Sequence, residues 1–362
     1  MENWFTPRKK KATLHQKIKF LLNVQYQKEL ELLQQWIDGF TSPDGELKSI
    51  DEFQATFHSV FLELYINQLL QCSGAKVDTD QERPDFKAQK SNLTYFVEVT
   101  VANISESGTP ESERTEQDAY GKNDQYKILD EAISRTRRRI GEKSRDFRRY
   151  CEEVQASPFV IAIGDFSQIN YGQGSYYAPL AVLYNAYYDP DDKTDLKILC
   201  EDSFCREYKY KERHGGKKQS QFELGFFASE KHKHISAVIY TCTLSLGKLT
   251  SLVRSHGIID KYVCLDREAL RIIRKSGDSS DESLGDGIFV FHNPFAEHPL
   301  DESFMNMRGI SHVRYREDER FIEIKENKIF TYPMKGTIDA SIPNAKEIIL
   351  KDIKEMAEHT MV

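Results

Sequence analysis

The chain reads as an α/β protein: a mixed sheet flanked by helices, with a helical segment ahead of it and a further α/β elaboration behind. Three observations predict this. Apolar residues recur at three- and four-residue steps through residues 12–38 and again through 50–72, which is helical spacing. Residues 75–102 then carry short β-branched and aromatic runs separated by turn residues. A second helical stretch, Tyr126–Glu153, leads into Pro158-Phe-Val-Ile-Ala-Ile163, an apolar run that suits a strand covered on both faces.

Taken in order, the first helical stretch breaks at Gly39 and at Ser42-Pro-Asp-Gly45. In the second, Phe53, Phe57, Val60, Phe61 and Leu64 form an apolar face, and Gly74 ends it. Strands are expected over Ala75–Val77, Pro84–Ala88 and Leu93–Ala102, with a tight hairpin joining the last two. Residues 103–124 are polar without periodicity, a long loop of the kind that is usually functional or disordered. Further on, a helix is expected over Ala178–Tyr187 and strands over Ile235–Thr243 and Gly287–Phe291. Loops are expected over 199–221, which is basic, and 273–286, which is acidic. No linker divides the chain, so residues 1–48 form a helical segment, 49–170 the core, and 171–362 an elaboration continuous with it.

Of 362 residues, 39% are apolar and 11% aromatic, enough for a substantial core. The net charge of −7 argues against a protein that coats or packages nucleic acid, while leaving room for an enzyme with a local basic groove. No apolar run reaches membrane-spanning length, and the basic start Arg8-Lys-Lys-Lys11 has no apolar stretch behind it to make a secretory signal. The six cysteines are scattered, without a Cys-x-x-Cys pair. Reduced thiols and a cytoplasmic location are therefore expected. A phosphate-cradling Gly-rich loop with its Lys is absent, as is a Gly-x-Ser-x-Gly nucleophile.

Three acids stand among apolar neighbours: Glu63 in Phe61-Leu-Glu-Leu-Tyr-Ile66, Asp85 in Arg83-Pro-Asp-Phe86, and Glu98 in Tyr95-Phe-Val-Glu-Val-Thr100. Strand alternation puts Glu98 and Thr100 on one face and Val97 and Val99 on the other, and gives Asp85 and Lys87 a common face. The hairpin lets Asp85 and Glu98 meet at one end of adjacent strands. Two carboxylates that close repel unless a proton or cation intervenes, and Mg²⁺ or Mn²⁺ suits such sparse oxygen ligation. Glu63 has apolar residues on both sides, so a metal, an Arg or a backbone donor must compensate its burial. Taken singly, Asp85 is a turn residue after Pro84.

The series Glu63…Pro84-Asp85…Glu98-Val-Thr100, on helix, strand and strand, resembles the core of the PD-(D/E)XK nuclease superfamily over roughly residues 50–165. Within it the wording is similar to a group of bacterial proteins of this fold, several associated with phage defence. The similarity continues at Ile235-Ser-Ala-Val-Ile-Tyr240 and His292-Asn-Pro-Phe-Ala-Glu-His-Pro-Leu300. The resemblance implies a restriction-endonuclease-like fold. It also implies Mg²⁺ or Mn²⁺ on Glu63, Asp85 and Glu98, and hydrolysis of DNA, with RNA as the other candidate. It suggests bacterial defence as the setting, beside a helicase or sensor subunit or as a homo-oligomer. The alternative is a nuclease fold that has lost catalysis and only binds nucleic acid or a protein.

One departure bears on the chemistry. The resemblance implies a Lys two positions after Glu98, and Thr100 stands there. Lys87, Lys127 and Arg135 are the candidates to replace it, and Lys127, opening the next helix, is favoured. That helix carries Arg135, Arg137, Arg138, Arg139, Lys143, Arg145, Arg148 and Arg149. Of these, Arg135, Arg138, Arg139 and Lys143 are assigned to phosphate contacts, the bland reading being a solvated helix face. The segment Lys209–Lys218, with Tyr208 and Tyr210, offers a second basic loop. His232 and His234 sit in a Lys-His-Lys-His run that is set aside as a metal site.

Overall fold

In the computed structural model the described residues are 4–8, 14–40, 45–79, 84–104, 108–109, 113, 125–168, 176–186, 196–200, 203–206, 224–253, 258–266, 271–277, 283–301, 303–316, 321–326 and 331–339. At 25, 125–127, 196–200, 203–206, 258–266, 271–277, 316, 321–326 and 331–339 the description is of backbone alone. Most of the expected loop after residue 103 and the loop tyrosines and lysines of 207–221 lie outside these residues.

The N-terminal segment is helical. Helix α1 (Gln16–Leu21) and a 3-10 turn at Val24–Tyr26 precede α2 (Gln27–Asp38), so the single stretch expected over 12–38 is interrupted. The second stretch also divides, into α3 (Glu46–Ala55) and α4 (His58–Cys72). Its break is Phe57, whose φ of 56° is a left-handed conformation that a helix cannot contain. Helix α4 is buried round most of its girth, from His58 to Leu70.

The sheet begins with β1 (Lys76–Asp78), β2 (Phe86–Lys90) and β3 (Leu93–Asn103), an antiparallel meander. Ser91, at φ 56°, turns the chain between the last two. Helix α5 (Gln125–Asp146) follows, then a 3-10 turn at Phe147–Arg149 and the short α6 (Glu152–Gln155). The helix therefore stops short of Glu153. Strand β4 (Phe159–Phe166) lies parallel to β3, and α7 (Tyr177–Tyr184) packs against α5.

The sheet continues through the second half of the chain. Its remaining strands are β5 (Leu196–Cys200), β6 (Ser203–Arg206), β7 (Ala237–Thr241), β10 (Ile288–His292), β11 (Ile310–Arg316) and β12 (Phe321–Glu326). The strand order is β1-β2-β3-β4-β7-β10-β11-β12-β6-β5, ten strands with mixed pairing. Helix α8 (Leu246–Val253) packs on α2. A separate three-stranded sheet holds β8 (Ile258–Asp266) between β9 (Arg271–Gly277) and β13 (Thr331–Asp339). No described helix is long and apolar enough to cross a membrane.

Two apolar layers cover the sheet, and alternation along the strands assigns each residue to one. Val97, Val99 and Val101 of β3, with Val160 and Ala162 of β4, join the layer of α2, α3 and α4. Phe96 and Ala102, with Phe159, Ile161 and Ile163, join the layer of α5 and α7. Every residue of β4 is buried, as a strand roofed on both faces requires. Gly164 permits the close approach of α4 to this strand. A Cβ there would come within 2.9 Å of Phe166 and 3.0 Å of Leu62.

Candidate metal centre

The β2–β3 register pairs Phe86 with Val97, so Asp85, one residue ahead of β2, stands across from Glu98. Asp85 Oδ2 accepts the backbone N–H of Val99 at 2.6 Å, which ties the carboxylate to β3. Asp85 and Glu98 share the α5 face. Lys87, on that face too, sets its ammonium 5.8 Å from the Phe96 ring centroid and 2.5 Å from Glu153. Lys87 is thus occupied by Glu153.

Glu98 is 3% exposed. A carboxylate so buried costs several kcal/mol, roughly, unless it is paired. Lys143 of α5 provides the pairing, donating to Glu98 Oε1 at 2.5 Å. Glu98 Oε2 is also buried, and it accepts no hydrogen bond from any described residue. Tyr150, just beyond α5, is 7% exposed, with its phenol beside the Glu98 carboxylate. Burial raises the phenol's pKa, and the charge and hydrogen bonding of Glu98, then the charge of Asp85, raise it further, so it stays protonated. Its ring is fixed against Phe147 and Phe159.

The described lysine that meets Glu98 is Lys143, not one of the three candidates for the helper cation. The side chain of Lys127 lies outside the described residues, but its backbone is sixteen positions before Lys143 on the same helix. At helical rise that is about 24 Å along the axis. The expected convergence of three acids is not seen. Among the described residues no group of three His, Cys, Asp or Glu side chains is placed to hold a metal. Glu63 belongs to α4, which packs on the face opposite Glu98. Alternation within β3 explains this separation: the valines that receive α4 necessarily point away from Glu98.

The phosphate-contact residues divide. Arg138 Nε and Arg139 Nη1 both bind Glu142, at 2.9 and 3.0 Å. Burial alone would raise the Glu142 carboxyl, but hydrogen bonds and charge from the two arginines outweigh it and hold it below its ordinary value. Arg135 makes no ion pair with any described residue, and Lys143 is committed to Glu98.

The His-x-His run has a structural use that spacing alone does not indicate. Ser144 Oγ lies 3.0 Å from His232 Nδ1 and 2.9 Å from His234 Nε2. With a single proton, the hydroxyl donates to one ring and accepts from the other. The rings stack on Phe226 and Phe147, clasping the end of α5 to the approach of β7. Burial, and then the neighbouring His232, lower the His234 pKa to about 4.

Asp85 and Glu98 fit the sparse carboxylate ligation that Mg²⁺ uses, one or two carboxylates completed by water and substrate oxygens. The buried second oxygen of Glu98, without a hydrogen bond, is the observation that favours a cation there. Sequence reasoning missed Tyr150, although the spacing of Phe147 and Tyr150 in Phe-Arg-Arg-Tyr signals a buried pair.

No protein-family model matches the chain, and no solved structure matches it. A short stretch is similar to an uncharacterized PabA-like protein of Haemophilus influenzae and to another of Pasteurella multocida, each 54% identical over 41 residues. Those residues are 11% of this chain and 12% and 13% of the two relatives, so the chain covers about an eighth of their length.

Proposed function

We propose that the chain is a metal-dependent nuclease of restriction-endonuclease-like fold that hydrolyses phosphodiester bonds of DNA. The observation that carries this reading is the Asp85–Glu98 pair. One oxygen of Glu98 is held by Lys143, while the other is buried with no hydrogen bond. Asp85 and Glu98 would hold Mg²⁺ or Mn²⁺, which would supply Lewis-acid polarisation of the phosphate. The Val99 N–H keeps Asp85 oriented, and the ammonium of Lys143 offsets negative charge gathering on the phosphoryl oxygens. In hydrolysis a water oxygen bonds to phosphorus and one ester P–O bond breaks. The ester oxygen leaves with the bonding pair and takes up a proton. Glu63 has no part in this assignment. The resemblance supports bacterial anti-phage defence as the setting, with a helicase or sensor subunit supplying ATP-driven work.

The test is cleavage of plasmid DNA, and of RNA in parallel, with Mg²⁺ or Mn²⁺. Wild-type protein should cut, and Asp85→Asn or Glu98→Gln should lower the rate by at least about 100-fold. A second reading, a module that binds nucleic acid without cutting it, is favoured by the closed ion pair between Lys143 and Glu98. Binding without cleavage in either metal would establish that reading and end the first.

A further inference from the structure

We infer that Glu153 is a built-in competitor for substrate: its carboxylate holds Lys87 until a phosphate of the nucleic acid displaces it. The inference rests on the nuclease reading for the identity of that phosphate. Register sets the geometry. Lys87 pairs with Phe96 and Phe86 with Val97, so Lys87 stands two residues from Asp85 on one face and diagonally across from Glu98. Diagonal neighbours on antiparallel strands lie about 7–8 Å apart, a distance that a lysine side chain and one hydrogen bond span. The ammonium turns instead to Glu153 of α6, at 2.5 Å, and stays 5.8 Å from the Phe96 ring centroid. Lys87 is therefore rooted beside the two carboxylates while its charge is spent on a third.

Magnitudes decide which lysine can change partner. The two lysine side chains are alike, 22% exposed for Lys87 and 24% for Lys143, but the acids differ: Glu98 is 4% exposed and Glu153 55%. Breaking the Lys143 pair would strand a buried charge, so that pair stays closed. Breaking the Lys87 pair returns Glu153 to water, and an exposed pair shifts an equilibrium by no more than about five-fold. Among the described residues the Glu153 carboxylate has no second partner to hold it in place. Three carboxylates against two ammonium groups already leave this corner one negative charge in excess. A phosphodiester that simply added itself would meet repulsion. Exchange avoids this, because one monoanion replaces another on the same ammonium.

Fluorescence anisotropy of a labelled DNA duplex in EDTA reads the exchange without cleavage. Lys87→Met should weaken binding several-fold and reduce the salt slope by about one. Glu153→Gln should tighten binding about two- to five-fold at low salt. Glu152→Gln makes the same charge change at the neighbouring exposed acid, which has no ion pair to Lys87, and should leave binding almost unchanged. In the Lys87→Met background the gain from Glu153→Gln should shrink to that of Glu152→Gln. Equal shifts from Glu152→Gln and Glu153→Gln, or a gain that survives Lys87→Met, would overturn the inference. The comparison of the two glutamates keeps Lys87 in place, so it decides the matter even if Lys87→Met fails to fold. Coupling between Lys87 and Glu153, with no cleavage by the wild type in Mn²⁺, would leave the phosphate contact standing and remove the nuclease reading. Cleavage without that coupling would do the reverse.

Discussion

The two oxygens of Glu98 meet different surroundings, one an ammonium at 2.5 Å and the other no hydrogen-bond donor among the described residues. That asymmetry makes Lys143 a residue of stability, whatever its part in the proposed chemistry. In Lys143→Met, Glu98 is left buried and without its charge pairing. The variant should lose about 2–3 kcal/mol in urea unfolding, less than the usual cost of breaking a fully buried pair because the lysine is partly exposed. Adding Glu98→Gln should restore most of that loss, because the amide carries no charge to compensate. Single and double variants of equal stability would show that the pair contributes nothing. The same Lys143→Met protein should bind Mn²⁺ more tightly by calorimetry, since the ammonium no longer competes for the carboxylate.

Helix α5 organises the cations by position. Arg135, Arg139 and Lys143 recur every four residues, about 6 Å apart along one flank that ends at Glu98. Arg138 lies off that row and shares Glu142 with Arg139. Charge reversal of Arg135 and Arg139 should therefore weaken DNA binding and reduce its salt slope by about one for each phosphate no longer neutralised. Glu142→Gln should tighten binding several-fold at low salt by releasing both arginines. Fluorescence anisotropy in EDTA reads both effects without cleavage. What sequence can reach at this scale follows from periodicity. The β2–β3 hairpin and β4 are legible because alternation and an unbroken apolar run are strong signals. The split at Phe57 is not, because an aromatic core residue gives no hint of a left-handed backbone. Sequence favours Lys127 among Lys87, Lys127 and Arg135 and does not single out Lys143 as the partner of Glu98, because composition marks a helix as basic without saying which flank, or which turn, faces the acids. The helix α8 and the strands in 196–206, 258–277 and 310–339 escape a reading by pattern. Charged residues such as Lys197, Lys261, Arg274 and Arg314 interrupt their apolar runs.

At the scale of the whole molecule, two partly buried histidine sites tie helix to sheet and strand to strand. His234 is clasped to Ser144, and His292 Nε2 lies 2.9 Å from His312 Nδ1 across β10 and β11. Burial, then the charges of Arg314 and His312, lower the pKa of His292 well below its ordinary value. Both rings are neutral in the folded protein at neutral pH. Between the ordinary value of 6.5 and about 4, the unfolded chain takes up a proton at His234 that the folded one refuses. Stability should therefore fall as pH drops through that window, most of all towards its acid end. Urea midpoints at about pH 7.5, 5.5 and 4.5 test this, and His234→Phe, which keeps the stack on Phe147, should flatten the acid limb. Unchanged midpoints across the window would contradict it. The α/β architecture itself is readable from the order of elements, whereas the extension of one sheet through the C-terminal half is not, because pairing between distant strands leaves no local mark. The nuclease reading comes down to two carboxylates and one cation. Anomalous diffraction from a crystal soaked in Mn²⁺ decides it with the fewest intervening assumptions. A single strong peak ligated by Asp85 and Glu98 is the expected result. No peak at that pair, with Lys143 still seated on Glu98, would contradict it.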